Sequence, residues 1–244
     1  EKINPRVLCV VAFENIRVVR RGKIHMVRAY QSDAAGAPAY LIDAPEFFAR
    51  PNIYGYSDDH VRFAFFSRAA LALLKHLNWQ SDIVHGNDWQ CGFAMAELRA
   101  RRRYDPFFQP THTLFSLHNV GYQGLFDPGD LWWLGFGDPP DSTDFMLNRT
   151  ACALKAGIIA ADALSTVSPR YAREIQTPEQ GHGLDWLLRA RRDRLHGITN
   201  GVDYGIWNPE TDPHIAANFS VNDLIGKRTC KLDLLRRFGL PEDT

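Results

Sequence analysis

Several short apolar runs in this 244-residue chain end in clusters of polar, aromatic and glycine residues. After Ile83-Val84 come His85, Gly86, Asn87, Asp88, Trp89 and Gln90; after Phe115-Ser116-Leu117 come His118, Asn119, Val120, Gly121, Tyr122, Gln123 and Gly124. Ser168 and Pro169 follow Leu164-Ser165-Thr166-Val167, and Thr199, Asn200, Gly201, Val202 and Asp203 follow Ile198. Imidazoles, amides and carboxylates hydrogen-bond hydroxyl groups, and aromatic faces stack on sugar rings, so this set suits a sugar ligand. His118 and Asn119 are the sharpest candidates, because two strong hydrogen-bonding groups just past a buried strand are costly without partners.

Each of the others has a plainer reading beside it. His85 reads as a structural tie between neighbouring loops. Asp88 can cap a helix beginning at Trp89 and still offer its second oxygen to a ligand. Trp89 and Tyr122 fit core and site equally well. Trp132-Trp133 reads as packing, and Arg99, Arg101, Arg102 and Arg103 as a solvated helix end favouring the negative pole. Nothing in the spacing of His85, Asp88 and His118 fixes a coordination geometry, so no metal is expected.

The elements that position these residues alternate between β-branched runs and helical patterns, the mark of an α/β fold with a doubly wound, mainly parallel sheet. Arg6–Phe13 reads as a strand buried on both faces. Asn15–Val19 and Lys23–Arg28 form a β-hairpin around Arg21-Gly22, and Ala39–Ile42 is a further strand. Ser57-Asp58-Asp59 caps a helix to about Leu77. Strands follow at Ile83–His85, Thr113–Leu117, Ala163–Val167 and Leu195–Ile198. Helices are expected over Trp89–Arg102, Asp130–Leu134, Phe145–Ala160 and Pro169–Gln176. Ser220-x-x-Asp223 resembles a capping box opening a last helix that stops at Gly239. In such folds ligands bind outside the carboxyl ends of the parallel strands, where the polar clusters lie.

Composition removes several other functions. Lysine plus arginine and aspartate plus glutamate both number 28, so no net charge draws a nucleic acid. No apolar run approaches the ~20 residues that cross a bilayer, and Glu1-Lys2-Ile3-Asn4 opens no signal peptide. Cys9, Cys91, Cys152 and Cys230 form no C-x-x-C pair and read as free thiols in a reducing cytoplasm. G-x-G-x-x-G, P-loop and G-x-S-x-G patterns are absent, which weakens dinucleotide, nucleotide-triphosphate and serine-hydrolase readings, and no cofactor is implied.

The strand-end segments resemble those of a known family. Val84-His85-Gly86-Asn87-Asp88-Trp89-Gln90-Cys91-Gly92 is similar to the V-H-x-x-D-W-x-x-G segment of bacterial glycogen synthases and plant starch synthases. His118-Asn119-Val120-Gly121-Tyr122-Gln123-Gly124 resembles their H-N-x-x-Y-Q-G loop. Leu154-Lys155-Ala156-Gly157-Ile158, Thr166-Val167-Ser168-Pro169, Asn200-Gly201-Val202-Asp203 and Ile206-Trp207-Asn208-Pro209 continue the match in the same order, and Arg62-Phe63-Ala64 fits too. The resemblance implies the amino-terminal, Rossmann-like lobe of a GT-B glycosyltransferase over residues 1–219. Residues 220–244 would lead towards a carboxyl-terminal nucleotide-binding lobe.

Such enzymes move glucose from ADP-glucose to an α-1,4-glucan with retention. The resemblance places His118 near the reacting carbon and Asp88 on sugar hydroxyls, as the catalytic pair. It gives Asn119, Tyr122, Gln123, Trp89, Gln90, Asn200 and Gly201 to substrate binding. ADP-glucose and glucan would be the partners, with no nucleic acid or membrane, in the cytoplasm or, for a plant enzyme, the plastid. Two departures accompany it. The family's first strand leads into a K-x-G-G-L loop and a long helix, whereas Phe13-Glu14 here runs straight into Asn15-Ile16. The family's R-x-x-x-Q-K-G segment and glutamate loop are not among these residues, so the fragment alone is expected to be inactive. A non-catalytic α-glucan-binding module and a GT-B enzyme using a UDP-sugar are the alternatives.

Overall fold

A computed structural model describes residues 11–20, 23–33, 36–138 and 140–242. They fall into two compact units that divide between Thr199 and Asn200.

The first unit opens with β1 (Val11–Arg20), β2 (Lys23–Ser32) and β3 (Ala39–Asp43), an antiparallel sheet in the order β1-β2-β3. The expected hairpin is present, while its turn at Arg21-Gly22 lies outside the described residues. The expected strand over Arg6–Phe13 is corrected where it is described: Val11–Phe13 pairs antiparallel with β2 and runs on through a bulge into the same strand. The bulge falls between Phe13 and Ile16, with Asn15 at φ 61°, a left-handed conformation that Asn tolerates better than most residues. The chain thus crosses the Glu14–Asn15 junction without the crossover helix that the resemblance implied.

The short helix α1 (Pro45–Phe48) and the long α2 (Asp59–His76) follow. Ile16, Val18, Val27 and Ala29 pack against Phe65, Ala69 and Leu73 of α2. The expected cap of α2 is corrected, because the Asp58 carboxylate pairs with Arg50 at 2.6 Å and makes no cap hydrogen bond.

Next come β4 (Ile83–Asn87), α3 (Asp88–Arg101), β5 (His112–Leu117), β6 (Leu125–Phe126), α4 (Asp130–Leu134) and α5 (Asp141–Phe145). They are followed by β7 (Met146–Leu147), β8 (Thr150–Cys152), α6 (Ala153–Ala160), β9 (Ala163–Thr166), α7 (Pro169–Glu174), α8 (Asp185–Ala190) and β10 (Leu195–Gly197). Four of these strands make a parallel sheet in the order β10-β9-β5-β4. Register decides what this sheet presents. Asn87 lies opposite Ser116, Leu117 opposite Thr166, and Thr166 opposite Gly197. Their strands therefore end level, and the residues that follow emerge along one rim.

Beneath that rim, Phe115, Leu117 and Leu164 pack with Met95, Leu154 and Ile158, all inaccessible to solvent. Each such burial contributes about 1.5–3 kcal/mol. Helices α3 and α6 approach through glycines: a Cβ on Gly92 would lie 2.1 Å from Ala153 O, and one on Gly157 would lie 2.5 Å from the Phe115 ring. Both glycines belong to the segments carrying the resemblance, and their work is close packing.

Two further expectations change. Phe145–Ala160 is not one helix: Phe145 closes α5, the β7–β8 hairpin turns with Asn148 at φ 55°, and α6 starts at Ala153. The Cys152 thiol accepts the Lys155 N–H at 3.3 Å and caps α6; burial pushes its pKa up to about 11. The arginine run is not a freely solvated helix end. Arg99 pairs with Asp144, Arg101 with Glu97 at 2.9 Å, and Arg102 with Asp162 at 2.5 Å, leaving Arg103 more than half exposed.

The second unit carries turns and one helix, α9 (Ile225–Arg237). Asn218 ties the turns together by donating to Pro209 O at 3.1 Å and Asp212 O at 2.9 Å. The expected capping box is also corrected: Leu224 precedes the helix, and Ser220 Oγ instead accepts N–H groups from Asn222 and Asp223. The helix ends as expected, before Gly239 at φ 63°. Among the described residues no helix is long and apolar enough to cross a membrane. Cys91, Cys152 and Cys230 are free, and Cys9 lies outside the described residues.

Candidate functional site

The rim of the parallel sheet borders a cavity of about 620 Å³. Asp88, Trp89 and Gln90 reach it from the end of β4, and Asn119, Gly121, Tyr122, Gln123, Gly124 and Leu125 from the loop after β5. Tyr54, Gly55, Tyr56, Ser57, Asp59 and His60 form the opposite wall, from the loop before α2 and its first turn.

Asp88 sits at φ 56°, where a residue bearing a Cβ is strained by roughly 1–2 kcal/mol. It is not a helix cap, since α3 has no side-chain cap hydrogen bond. Its Oδ1 instead accepts the backbone N–H of His118 at 2.8 Å, so the tips of β4 and β5 are tied together beside the cavity. The His118 ring lies exposed, with Nε2 at 3.0 Å from Asn87 Oδ1. With that oxygen accepting, the ring's Nε2–H donates to it.

The remainder of the loop is braced from within. Asn119 Oδ1 accepts the Gly121 N–H at 2.9 Å, Tyr171 Oη accepts the Val120 N–H at 3.2 Å, and Gln123 donates to His182 O at 2.8 Å. Tyr122 is 67% exposed and so belongs to the cavity wall rather than the core. Trp89 does both jobs: it lines the cavity and packs edge-on to Phe63, ring centroids 5.1 Å apart. His85 bonds Ser116 Oγ at 2.6 Å on the neighbouring strand, and Ser116 bonds Ser165 at 2.5 Å on the next. That chain is a tie across the sheet.

Of the residues chosen from sequence, Asp88, Trp89, Gln90, Asn119, Tyr122 and Gln123 meet at one cavity, with His118 bound to Asp88 at its edge. Asn200 and Gly201 are exposed and belong to the second unit. The wall from Tyr54 to His60 was not among the candidates. Its signal was present in two tyrosines flanking a glycine, just before a helix rich in charged residues at its start.

Buried charges shape that wall. Asp59 Oδ2 accepts the N–H groups of Gly55 at 2.6 Å and Tyr56 at 3.0 Å, and its Oδ1 pairs with Arg62. Arg62, 2% exposed, also donates to Phe47 O at 2.8 Å and Ile53 O at 3.0 Å. The His60 ring stacks on Phe126 at 4.9 Å, and its Nε2 bonds Asp130 Oδ2 at 2.9 Å. Among the described residues no cluster of histidine, cysteine and acidic side chains could hold a metal ion.

A level-ended parallel sheet with polar loops bordering a sugar-sized cavity matches a glycosyltransferase domain of the GT-B kind. The model of the starch synthase catalytic domain family matches residues 3–190, and the chain belongs to that family. It is 45% identical over 212 residues to a glycogen synthase of Anaeromyxobacter dehalogenans, covering 84% of this chain and 44% of that protein. It is 41% identical over 223 residues to a glycogen synthase of Syntrophotalea carbinolica, covering 88% and 46%. The catalytic domain of starch synthase IV from Arabidopsis thaliana, bound to ADP and acarbose, superposes with a TM-score of 0.74 at 32% identity, over 96% of this chain and 49% of that one. The chain thus spans about half the length of the relatives it matches.

Proposed function

We propose that this chain is the acceptor-side lobe of a retaining glucosyltransferase that elongates α-1,4-glucan, glycogen or starch, from ADP-glucose. The observation that carries the reading is the convergence of Asp88, Trp89, Gln90, Asn119, Tyr122 and Gln123 on one cavity of about 620 Å³. In the reaction the bond from the glucosyl carbon to ADP breaks, a bond to the acceptor hydroxyl oxygen forms, and that hydroxyl loses its proton. Positive charge builds on the sugar ring as ADP leaves, so fixed dipoles in a water-poor cleft carry much of the acceleration. His118 faces the reacting carbon in this reading and Asp88 holds sugar hydroxyls. Asn119, Tyr122, Gln123, Trp89 and Gln90 line the pocket and acceptor path, and Asn200 and Gly201 contribute to substrate binding. Residues 1–219 form the lobe and 220–244 lead out of it, and a cytoplasmic or plastid location goes with the activity.

The test is elongation of maltooligosaccharide by the full-length protein given ADP-glucose, with UDP-glucose as the competing donor. The reading expects ADP-glucose to be used, and His118→Ala to cut turnover far more than folding stability. Use of the UDP-sugar alone would favour another GT-B enzyme. Glucan binding without transfer from either donor would favour a binding module.

A further inference from the structure

We infer that His60 contacts the glucan acceptor, bonding one of its hydroxyls through Nδ1 while Asp130 holds the ring through Nε2. The inference rests on the glucan reading above and adds a contact which that reading does not contain. His60 stands in the first turn of α2 and lines the cavity, with its side chain 12% exposed. Two other elements fix the ring. Its Nε2 lies 2.9 Å from Asp130 Oδ2 at the start of α4, and its face stacks on Phe126 of β6, centroids 4.9 Å apart and planes inclined by 6°. With the carboxylate accepting, Nε2–H donates to it.

Both mounts are firm. Phe126 is buried in the cluster that also takes Leu131 and Leu134 of α4, and the Asp130 N–H bonds Asp127 O at 3.0 Å. A ring held this firmly loses little freedom when a ligand binds it. A tie between α2 and α4 needs only one ring nitrogen, and Nε2 supplies it. Nδ1 has no hydrogen-bond partner among the described residues. It is not enclosed by protein either, and the space that His60 borders is the cavity.

The occupant follows from what else the cavity offers. On the same wall the Asp59 carboxylate is engaged by Gly55, Tyr56 and Arg62, and Tyr56 Oη accepts the Asn52 N–H at 3.0 Å. A hydroxyl both donates and accepts, so it can bond Nδ1 whether that nitrogen is bare or protonated. In the glucan reading the reacting carbon lies at His118, which stands at the cavity edge beside Asp88. His60 belongs to the opposite wall, so the sugar it meets is a unit of the acceptor and not the glucose being transferred. Trp89 and Tyr122 offer that unit ring faces from across the cavity.

The test compares the full-length protein with His60→Gln and His60→Asn. Glutamine places its amide near the position of Nε2, keeping the tie to Asp130 but offering nothing at Nδ1. Asparagine does the reverse. Elongation kinetics with ADP-glucose and maltoheptaose are measured beside maltoheptaose binding by calorimetry and melting temperature. His60→Gln is expected to melt near the parent and to raise KM and Kd for maltoheptaose about fivefold, with kcat and the ADP-glucose KM within about twofold. His60→Asn is expected to melt lower and yet bind maltoheptaose more tightly than His60→Gln. Parental KM and Kd for maltoheptaose in His60→Gln would overturn the inference. So would weakening that follows the melting temperature and is greater in the asparagine variant, which would leave His60 a tie alone. A rise confined to the ADP-glucose KM would overturn it too, by moving His60 to the donor sugar. A parent that binds maltoheptaose through His60 yet transfers from neither ADP-glucose nor UDP-glucose would remove the enzymatic reading and uphold the contact.

Discussion

Gly124 lies against the indole of Trp89 so closely that a Cβ on it would stand 2.2 Å from Trp89 Cε3. Gly124 is also at φ 61°, a conformation that disfavours any side chain. Its backbone oxygen accepts the Ala153 N–H at 3.2 Å, so the loop cannot simply swing away. Gly124→Ala therefore has to displace Trp89, and with it one face of the cavity. Overpacking and left-handed strain together should cost roughly 2–4 kcal/mol, read as a shift in the urea unfolding midpoint. An unchanged midpoint would mean that the ring has another place to go.

Asp88 combines a strained backbone with a hydrogen bond that ties β4 to the loop after β5, and these pull a substitution in opposite directions. Asp88→Gly relieves roughly 1–2 kcal/mol of left-handed strain but deletes the acceptor for the His118 N–H. The two effects should nearly cancel in the melting temperature. Turnover of the full-length protein should nonetheless fall about 100-fold, because the β5 loop loses its fixed position. Equal falls in activity and stability would mark Asp88 as merely structural.

The legible part of the molecule is the part written in local pattern. Ile83–His85 and Thr113–Leu117 read as short strands between helical patterns, and both are found as strands of the parallel sheet, with the polar residues that follow them at its rim. The helix over Asp130–Leu134 is found where the sequence puts it, yet its tryptophans are more than half exposed while Leu131 and Leu134 are buried, because side-chain direction depends on which neighbours fill the core. Phe145–Ala160 reads as helix by composition, but Asn148 in the left-handed region breaks it into a hairpin. The wall from Tyr54 to His60 was hidden for a different reason. Its place at the cavity depends on Arg62 reaching back to Phe47 O and Ile53 O, contacts that no spacing announces.

That dependence on Arg62 is testable. Arg62→Met leaves the Asp59 carboxylate buried without its cation, which should cost about 3–5 kcal/mol in thermal or urea unfolding. Arg62→Lys keeps the charge but lacks the planar fork that serves Asp59, Phe47 O and Ile53 O together. It should lose less stability, while the Tyr54–Tyr56 wall loosens and the acceptor KM rises with little change in kcat. A lysine variant with parental KM would detach the wall from its anchor.

At the amino-terminal ends of the strands, Asp162 offers a pH test independent of the site. Burial works against its carboxylate, but hydrogen bonds from Arg102 and from the Thr113 N–H and hydroxyl outweigh that and bring its pKa from an ordinary 3.8 down to about 2. A carboxylate depressed on folding contributes stability that is fully present above its unfolded pKa. The contribution is then lost as the pH falls from about 4 towards 2. The side chain is 34% exposed, so solvent screens part of the interaction and the contribution is modest. Asp162→Asn should therefore be less stable than the parent at pH 7, and the gap should close as acid protonates the parent's carboxyl group. Urea midpoints measured for both proteins from pH 7 to pH 2 check this. A gap that stays constant through the acid range would assign the loss to Thr113 packing instead of to charge.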